Sequence, residues 1–522
     1  MVDDPNDRGY NNDDNSGGGG GGRVPGGGGG GGLLNLLPLL MGLFRSKFGI
    51  AILVIGALLY FAVGQRGCNA LAPESNSLST GGMLDPAQFA KAKVYEGQAD
   101  DNVKNPLPEY VSLAKFAPAR QNQGKQGSCV AWSSAYAAQT IAISASRGTN
   151  PQQTAFSPSY MYNQIGLQGC QGSYIIRAME LMQKQGGVPF DRFPYNESNC
   201  STNPPSDLNA LAQNNRILGY NRLTTSDDPN GINPRAIKEH LAKDAPVVIG
   251  MMVGGSFMQG MMGRKVWEPT QSDLRMSGFG GHAMCVVGYD DRLAGGAFQI
   301  MNSWGPEWGE NGLAWVRYAD FRTFVREAYG VNPIAPQGAA LNQQFDCEVG
   351  LWESKAQNGG SYLPVTGSGN LVSTRIKKGT LFKLEVKNST PCYVYVFGRE
   401  TDGSSYTLFP YPSAANPTQT AFSPYCGITG VRLFPRGKSM QPDSIGTKDF
   451  MAIVVSKAEL PWYQVNEAIG KNRSSYAAAV ASALSSYGTG KITLSTTGKG
   501  TMRFTAPAGA TGVAYAVVEI SK

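Results

Sequence analysis

The sequence predicts an α+β protein built from several units: one apolar helix near the start, a mixed helical and β unit in the middle, and a β-rich unit at the end. Three observations carry that expectation. At 522 residues the chain is too long for one ordinary core. Its middle part combines an alanine-rich helix former, Val130 to Gln139, with apolar runs such as Val286-Val287-Gly288-Tyr289. Its last part alternates apolar and polar residues, as at Phe382, Leu384 and Val386, with Pro, Gly and Asn in the turns.

Taken in order, the first 32 residues hold 14 glycines and almost nothing apolar, so residues 1–47 are expected to be a disordered segment that cannot offset its ordering entropy. From Phe48 to Gly64 run 17 uncharged, mostly aliphatic residues, the lower limit for a membrane-spanning helix. This stretch starts too far from the N-terminus for a signal peptide. It is followed by Gln65-Arg66-Gly67-Cys68, which is not a small-residue cleavage site, so it reads as an uncleaved anchor. Arg8, Arg23, Arg45 and Lys47 precede it and Arg66 follows, which places the N-terminus in the cytoplasm and the rest outside, in a periplasm or at a cell surface. The run Leu33 to Phe44, broken by Pro38, is expected at the membrane surface. Residues 65–105 are small and polar and read as a tether. A change of composition near 335–342 separates a unit at 106–336 from one at 343–522.

Composition also excludes. Two histidines, His240 and His282, cannot build a three-histidine zinc site, and no metal or cofactor is expected. A net charge of +7 without a lysine or arginine block gives no nucleic-acid footprint. The echo of a phosphate loop at Gly437-Lys438-Ser439 has Arg432 where the first glycine is needed, and polyglycine matches such motifs by chance.

The chemistry lies between 106 and 336. There the chain reads Gln123 to Gly127, Ser128-Cys129-Val130-Ala131-Trp132, later Gly281-His282-Ala283, then Asn302-Ser303-Trp304-Gly305 and Trp308-Gly309-Glu310-Asn311-Gly312. A thiol is mostly protonated at neutral pH and needs a cationic neighbour or a helix N-terminus to become a nucleophile. Gly124 and Gly127 allow a tight loop before Cys129, and the alanine-rich segment after it places Cys129 at a helix start. His282 would serve as base and acid, Asn302 would orient the ring, and Gln123 with the Cys129 N–H would stabilise an oxyanion.

These residues resemble a papain-family cysteine peptidase. The likeness rests on the spacing of Gln123 to Cys129, the Gly-Ser-Cys block, His282-Ala283 leading into Val286 to Tyr289, and the Asn-Ser-Trp-Gly and Trp-Gly-Glu-Asn-Gly blocks. It implies a helical lobe carrying Cys129, a β-rich lobe carrying His282 and Asn302, and a peptide or protein substrate in the cleft between them. Trp304 would cover the His282–Asn302 hydrogen bond. The sequence also departs from the family. Val130 stands where a tryptophan is usual, with Trp132 as the nearby aromatic. The substrate wall is Gly169-Cys170-Gln171-Gly172-Ser173, in which Gly172 and Ser173 would bind substrate and the Ser173 side chain would narrow the wall. The usual cysteine partners of Cys170 and Cys200 are replaced by Gln126 and Asn163, and the resemblance leaves Cys170 to pair with Cys200. Residues 65–105 are too few and too polar for the family's helical inhibitory pro-segment, so latency is expected to come from elsewhere.

Three further residues read as structural. His240, beside Lys238 and Glu239, is expected to be a solvated helical residue, Cys285 a core residue, and Ser157-Pro158 a helix start. In the last unit, 461–487 is expected to be helical and the rest strands. Gly379 to Val386, with the following Cys392 to Phe397 run, is similar to a bacterial domain of unknown function often attached to peptidases or kinases. That likeness implies a β-sandwich-like module with a protein or envelope-polymer ligand. The expected function is a membrane-anchored cysteine endopeptidase acting through a Cys129 thioester. The alternatives are an inactive papain-like adhesin or scaffold working through its C-terminal module, and a cysteine transpeptidase.

Overall fold

The computed structural model describes residues 2–3, 78–99, 103–225, 231–332, 344–353, 360–400 and 402–522. The apolar stretch 48–64 and the Leu33 to Phe44 run lie outside the described residues, and no described helix is long and apolar enough to cross a membrane.

The first half holds a helical layer against a β-sheet. A helix opens at Cys129–Ala131, widens to a π-wound turn over Trp132–Gln139, and returns to α form over Thr140–Arg147, where Gly148 ends it in the left-handed conformation. The helix Pro158–Ile165 starts as its sequence predicts: the Ser157 side chain accepts from the Tyr160 N–H and Pro158 takes the first turn. Opposite these helices the sheet runs Tyr220–Arg222, Val325–Val331, Val247–Val253, Gly280–Asp290, Ala297–Met301, Leu313–Arg317 and Val266–Trp267, with Tyr110–Ser112 added beside Gly280–Asp290. The long central strand Gly280–Asp290 is buried from His282 to Tyr289, as expected of a strand covered on both faces.

The second half is a β-sandwich. One sheet is ordered around Phe345–Glu353, Phe382–Asn388 and Thr501–Ala506, the other around Val513–Ser521, Lys448–Ser456 and Cys392–Arg399. The alternating residues Phe382, Leu384 and Val386 supply the core between the sheets. The helices Trp462–Lys471 and Tyr476–Leu484 cover the outer face of the second sheet through Val465, Ile469, Val480 and Leu484. Val2–Asp3 pairs with the edge residues Met440–Gln441.

Two expectations are corrected here. From Leu78 onward the supposed tether is packed: Phe89, Val94, Tyr95, Glu96 and Ala99 are buried, and residues 78–522 form one compact unit. His240 is not solvated. Its ring is fully buried, meets Tyr95 edge-on at 4.6 Å, and bonds through Nδ1 to the Ala236 carbonyl at 2.8 Å. Burial lowers its pKa to about 4, so the ring stays neutral near pH 7.

Glu96 lies in the same region, buried between Glu239 of the first half and Arg432 and Arg436 of the second. Burial lifts its carboxyl to about 7 from an ordinary 4.5, against the pull of the two arginines and with a push from Glu239. A folded pKa above the unfolded one means that the group's contribution to stability is complete below about pH 4.5 and is lost as pH rises through about 7. In urea titrations across that window, Glu96→Gln should flatten the pH-dependent fall in unfolding free energy by on the order of 3 kcal/mol.

Candidate active site

Cys129 begins its helix directly after Ser128, and its Sγ accepts the backbone N–H of Ala283 at 3.4 Å. That contact brings the thiol against the strand that carries His282. The His282 Nε2–H donates to Asn302 Oδ1 at 2.8 Å, and the same oxygen accepts the Ser303 N–H at 2.8 Å. Asn302 therefore fixes the tautomer and leaves Nδ1 unprotonated, without a hydrogen-bond partner among the described residues. Trp304 stacks on the imidazole, with ring centroids 4.4 Å apart and planes 21° from parallel.

Gln123 is held on both sides. Its backbone N–H donates to the Ser303 carbonyl at 2.8 Å, and its side-chain Oε1 accepts from Ser303 Oγ at 2.6 Å. The second bond orients the amide so that Nε2 points into the cleft. Ser303 is the residue the sequence reading missed, although it stands inside the Asn-Ser-Trp-Gly block. Tyr195 was missed as well: its hydroxyl donates to the Gln123 carbonyl at 2.7 Å and lies 2.7 Å from Ser128 Oγ, so it braces the loop before the nucleophile.

The substrate wall differs from expectation in one respect. Ser173 is buried and its Oγ donates to the Ile165 carbonyl at 2.9 Å, so its side chain turns inward and does not narrow the cleft. Gly172 lies at φ +106°, and a Cβ there would sit 2.3 Å from the Gly81 carbonyl oxygen. Cys170 and Cys200 are joined in a disulfide behind this wall, and Cys285 is a buried core thiol.

What fills the cleft is the chain itself. Residues 79–84 run through it as a strap. Ser173 N–H donates to the Gly81 carbonyl at 2.9 Å and Met83 N–H donates to the Ser173 carbonyl at 2.9 Å, a parallel pairing along the wall. Gly82 N–H donates to the Gly281 carbonyl at 3.0 Å, and the Trp304 indole N–H donates to the Ser79 carbonyl at 2.7 Å. The Gln123 Nε2 donates to the Gln126 carbonyl of its own loop at 2.9 Å and to the Thr80 carbonyl at 3.3 Å, so one of the two donors expected near a substrate oxyanion also meets a strap carbonyl. The Leu84 side chain lies against Gly250 and Gly281. Gly81 passes the narrowest point for a steric reason: it adopts φ +136°, and a Cβ on it would lie 2.2 Å from the Gly127 carbonyl oxygen.

Cys129, His282 and Gln123 are all inaccessible to solvent. Burial pushes the Cys129 thiol up to about 12, against the help of N–H groups from Ala283, Val130 and Cys129 itself. Burial lowers His282 to about 4, although its bond to Asn302 works in the other direction. At neutral pH the covered pair is thus a neutral thiol and a neutral imidazole.

The family model for the papain family cysteine proteases matches residues 112–329. Cathepsin K of Mus musculus is 28% identical over 260 residues, which cover 48% of this chain and 68% of that protein. The cathepsin B-like CP2 of Giardia intestinalis is 26% identical over 275 residues, covering 51% and 83%. The crystal structure of xylellain, a cysteine protease from Xylella fastidiosa, aligns with a TM-score of 0.40 and 24% identity, covering 50% of this chain and 98% of that one. Residues 112–329 are therefore a papain-family cysteine peptidase domain, here followed by a β-sandwich.

A side chain at position 81 cannot be accommodated beneath the strap. Gly81→Val should expel the strap and raise the rate of Cys129 alkylation by iodoacetamide at neutral pH by roughly tenfold or more, read by intact mass and peptide mapping. An unchanged rate would mean that something other than the strap closes the cleft.

Proposed function

We propose that the chain is a cysteine endopeptidase whose folded state is latent, with residues 79–84 occupying the site that a substrate peptide takes. The observation that carries this reading is the set of four: Cys129 beside the His282–Ala283 backbone, His282 fixed by Asn302, and Gln123 aimed into the cleft by Ser303. Once the strap leaves, water returns to the cleft and the charged forms of Cys129 and His282 cost less. His282 Nδ1 takes the thiol proton, and the thiolate attacks the scissile carbonyl. Gln123 Nε2 and the Cys129 N–H bind the oxyanion, and His282 returns the proton to the leaving amine. Water, with His282 as base, then hydrolyses the thioester. Gly172 and Ser173 offer the wall along which the substrate backbone pairs, and Trp304 shields the His282–Asn302 bond.

The test uses a peptidyl epoxide and an unbiased peptide library on the Gly81→Val protein. Single labelling and cleavage that both disappear in Cys129→Ala support the reading; a folded protein with neither would move the assignment to a scaffold. In the same background, Gln123→Ala should lower kcat by roughly 10²–10³. Ser303→Ala, which removes the hydroxyl on Gln123 Oε1 but leaves the Nε2 bond to the Gln126 carbonyl, should cost about tenfold.

The membrane-anchored form of this reading rests on the uncharged stretch 48–64 and the basic residues before it. An N-terminus on the far side of a membrane excludes the pairing of Val2–Asp3 with Met440–Gln441. Alkaline extraction of membranes and labelling of a cysteine placed at position 2 by an impermeant maleimide decide between them. Retention in the membrane with no labelling in intact cells supports the anchor, whereas release into the soluble fraction overturns it.

A further inference from the structure

The strap occupies the cleft with only a few residues, yet the chain that follows it is gripped from two sides. Val94 is paired with both halves of the protein. Its N–H donates to the Ala421 carbonyl at 2.7 Å and its carbonyl accepts the Ser423 N–H at 3.0 Å, both from the β-sandwich. On the other side, Tyr95 N–H donates to the Arg222 carbonyl at 3.0 Å and Arg222 N–H to the Lys93 carbonyl at 2.9 Å, both in the peptidase. The sandwich continues the grip along the segment. Ala99 N–H donates to the Val431 carbonyl at 2.9 Å, Gln98 Nε2 to the Thr429 carbonyl at 2.7 Å, and Arg432 Nε to the Glu96 carbonyl at 3.0 Å. Asn105 closes the run, accepting the Val431 N–H at 2.8 Å and donating to the carbonyls of Val431 and Ala99 at 2.9 and 3.1 Å. Lys104 pairs with Glu385 and stands 3.4 Å above the Trp352 ring.

Many of these contacts are of the kind that hold a sheet together, main-chain hydrogen bonds in both directions, with a buried arginine at the centre. Arg432 is 1% exposed and divides its donors among Glu96, Asn388, Ile428 and Tyr95. The sandwich thus holds residues 93–99 and 103–105, and through the short helix Pro86–Phe89 it fixes where the strap ends.

We infer that the C-terminal β-sandwich is the clamp of the latent state: its surface formed by residues 420–432 together with Glu385 binds residues 93–99 and 104–105 of the same chain, and this docking keeps residues 79–84 in the cleft. The inference rests on the catalytic reading only in calling that cleft an active site. Its partner is an extended backbone segment, so anything that loosens the segment from the sandwich opens the cleft without touching the strap.

The experiment uses the full chain and measures strap occupancy as the iodoacetamide alkylation rate of Cys129, which needs no catalysis. Asn105→Ala removes two bonds to Val431 of the sandwich and one within the segment to Ala99, and Lys104→Ala removes the ion pair with Glu385 and the cation over Trp352; Gly81→Val is the open reference. Each clamp variant should speed Cys129 alkylation by about fivefold, with circular dichroism unchanged. Should Asn105→Ala unfold, Lys104→Ala decides alone. An unchanged rate in the folded clamp variants, with Gly81→Val fast, overturns the inference, because the strap would then hold itself. A silent Gly81→Val also overturns it, because the strap would not be the cover. Faster alkylation without peptide cleavage leaves the clamp standing and removes the catalytic reading, so the two fail separately.

Discussion

The cleft depends on one close approach, the contact of the first turn of the Cys129 helix with the middle of the Gly280–Asp290 strand. The Ala283 N–H reaching the Cys129 sulfur is its visible mark. Pairing with Val247–Val253 sets His282 opposite Met251, and the antiparallel return through Ala297–Met301 delivers Asn302 one residue past the strand end. Ser303, one place further, then reaches back to Gln123 on the loop before the helix. Each member is held by an element whose own position is fixed by buried main-chain pairing. Such a support keeps reacting groups aligned.

The same packing explains why the folded protein carries a neutral thiol and a neutral ring. Among the described residues no full positive charge acts on Cys129; three backbone N–H groups oppose burial without overcoming it. Solvent access is therefore a chemical variable of this site as well as a steric one. The indole of Trp304 serves both states, since its face lies on His282 while its N–H holds the Ser79 carbonyl.

Side chains that must be of one type were legible in the sequence. Gln123, Cys129, His282 and Asn302 sit in local motifs, and the strands of the last unit showed through period-two alternation. What escaped is what the backbone does. The strap is a polar stretch with a Gly-Gly pair whose cleft bonds are mostly main-chain groups, so no side-chain pattern marks it; the Leu84-Asp85-Pro86 helix start was the one cue that order resumed there. His240 was misread because its neighbours Lys238 and Glu239 suggest a wet face. The face is covered by Tyr95, which is distant in sequence and itself part of the unrecognised segment. The inward turn of Ser173 depends on the Ile165 carbonyl, a partner that spacing alone does not reveal. Arg432, which spoils the phosphate-loop echo, is buried because main-chain carbonyls of two separate segments converge on it.

Because the strap, the short helix and the clamped segment are one continuous chain, the occupant of the cleft is an intramolecular ligand with an effective concentration in the millimolar range or above. Breaking the backbone before Leu78 changes little, for the strap stays leashed to residues 93–105 and rebinds faster than a dilute competitor arrives. Breaking it between Leu84 and Lys93 cuts that leash on the enzyme's side, and the strap no longer shares a chain with the cleft it covers. The position of a single nick, rather than the number of nicks, thus separates a protein that is merely trimmed from one that has lost its occupant.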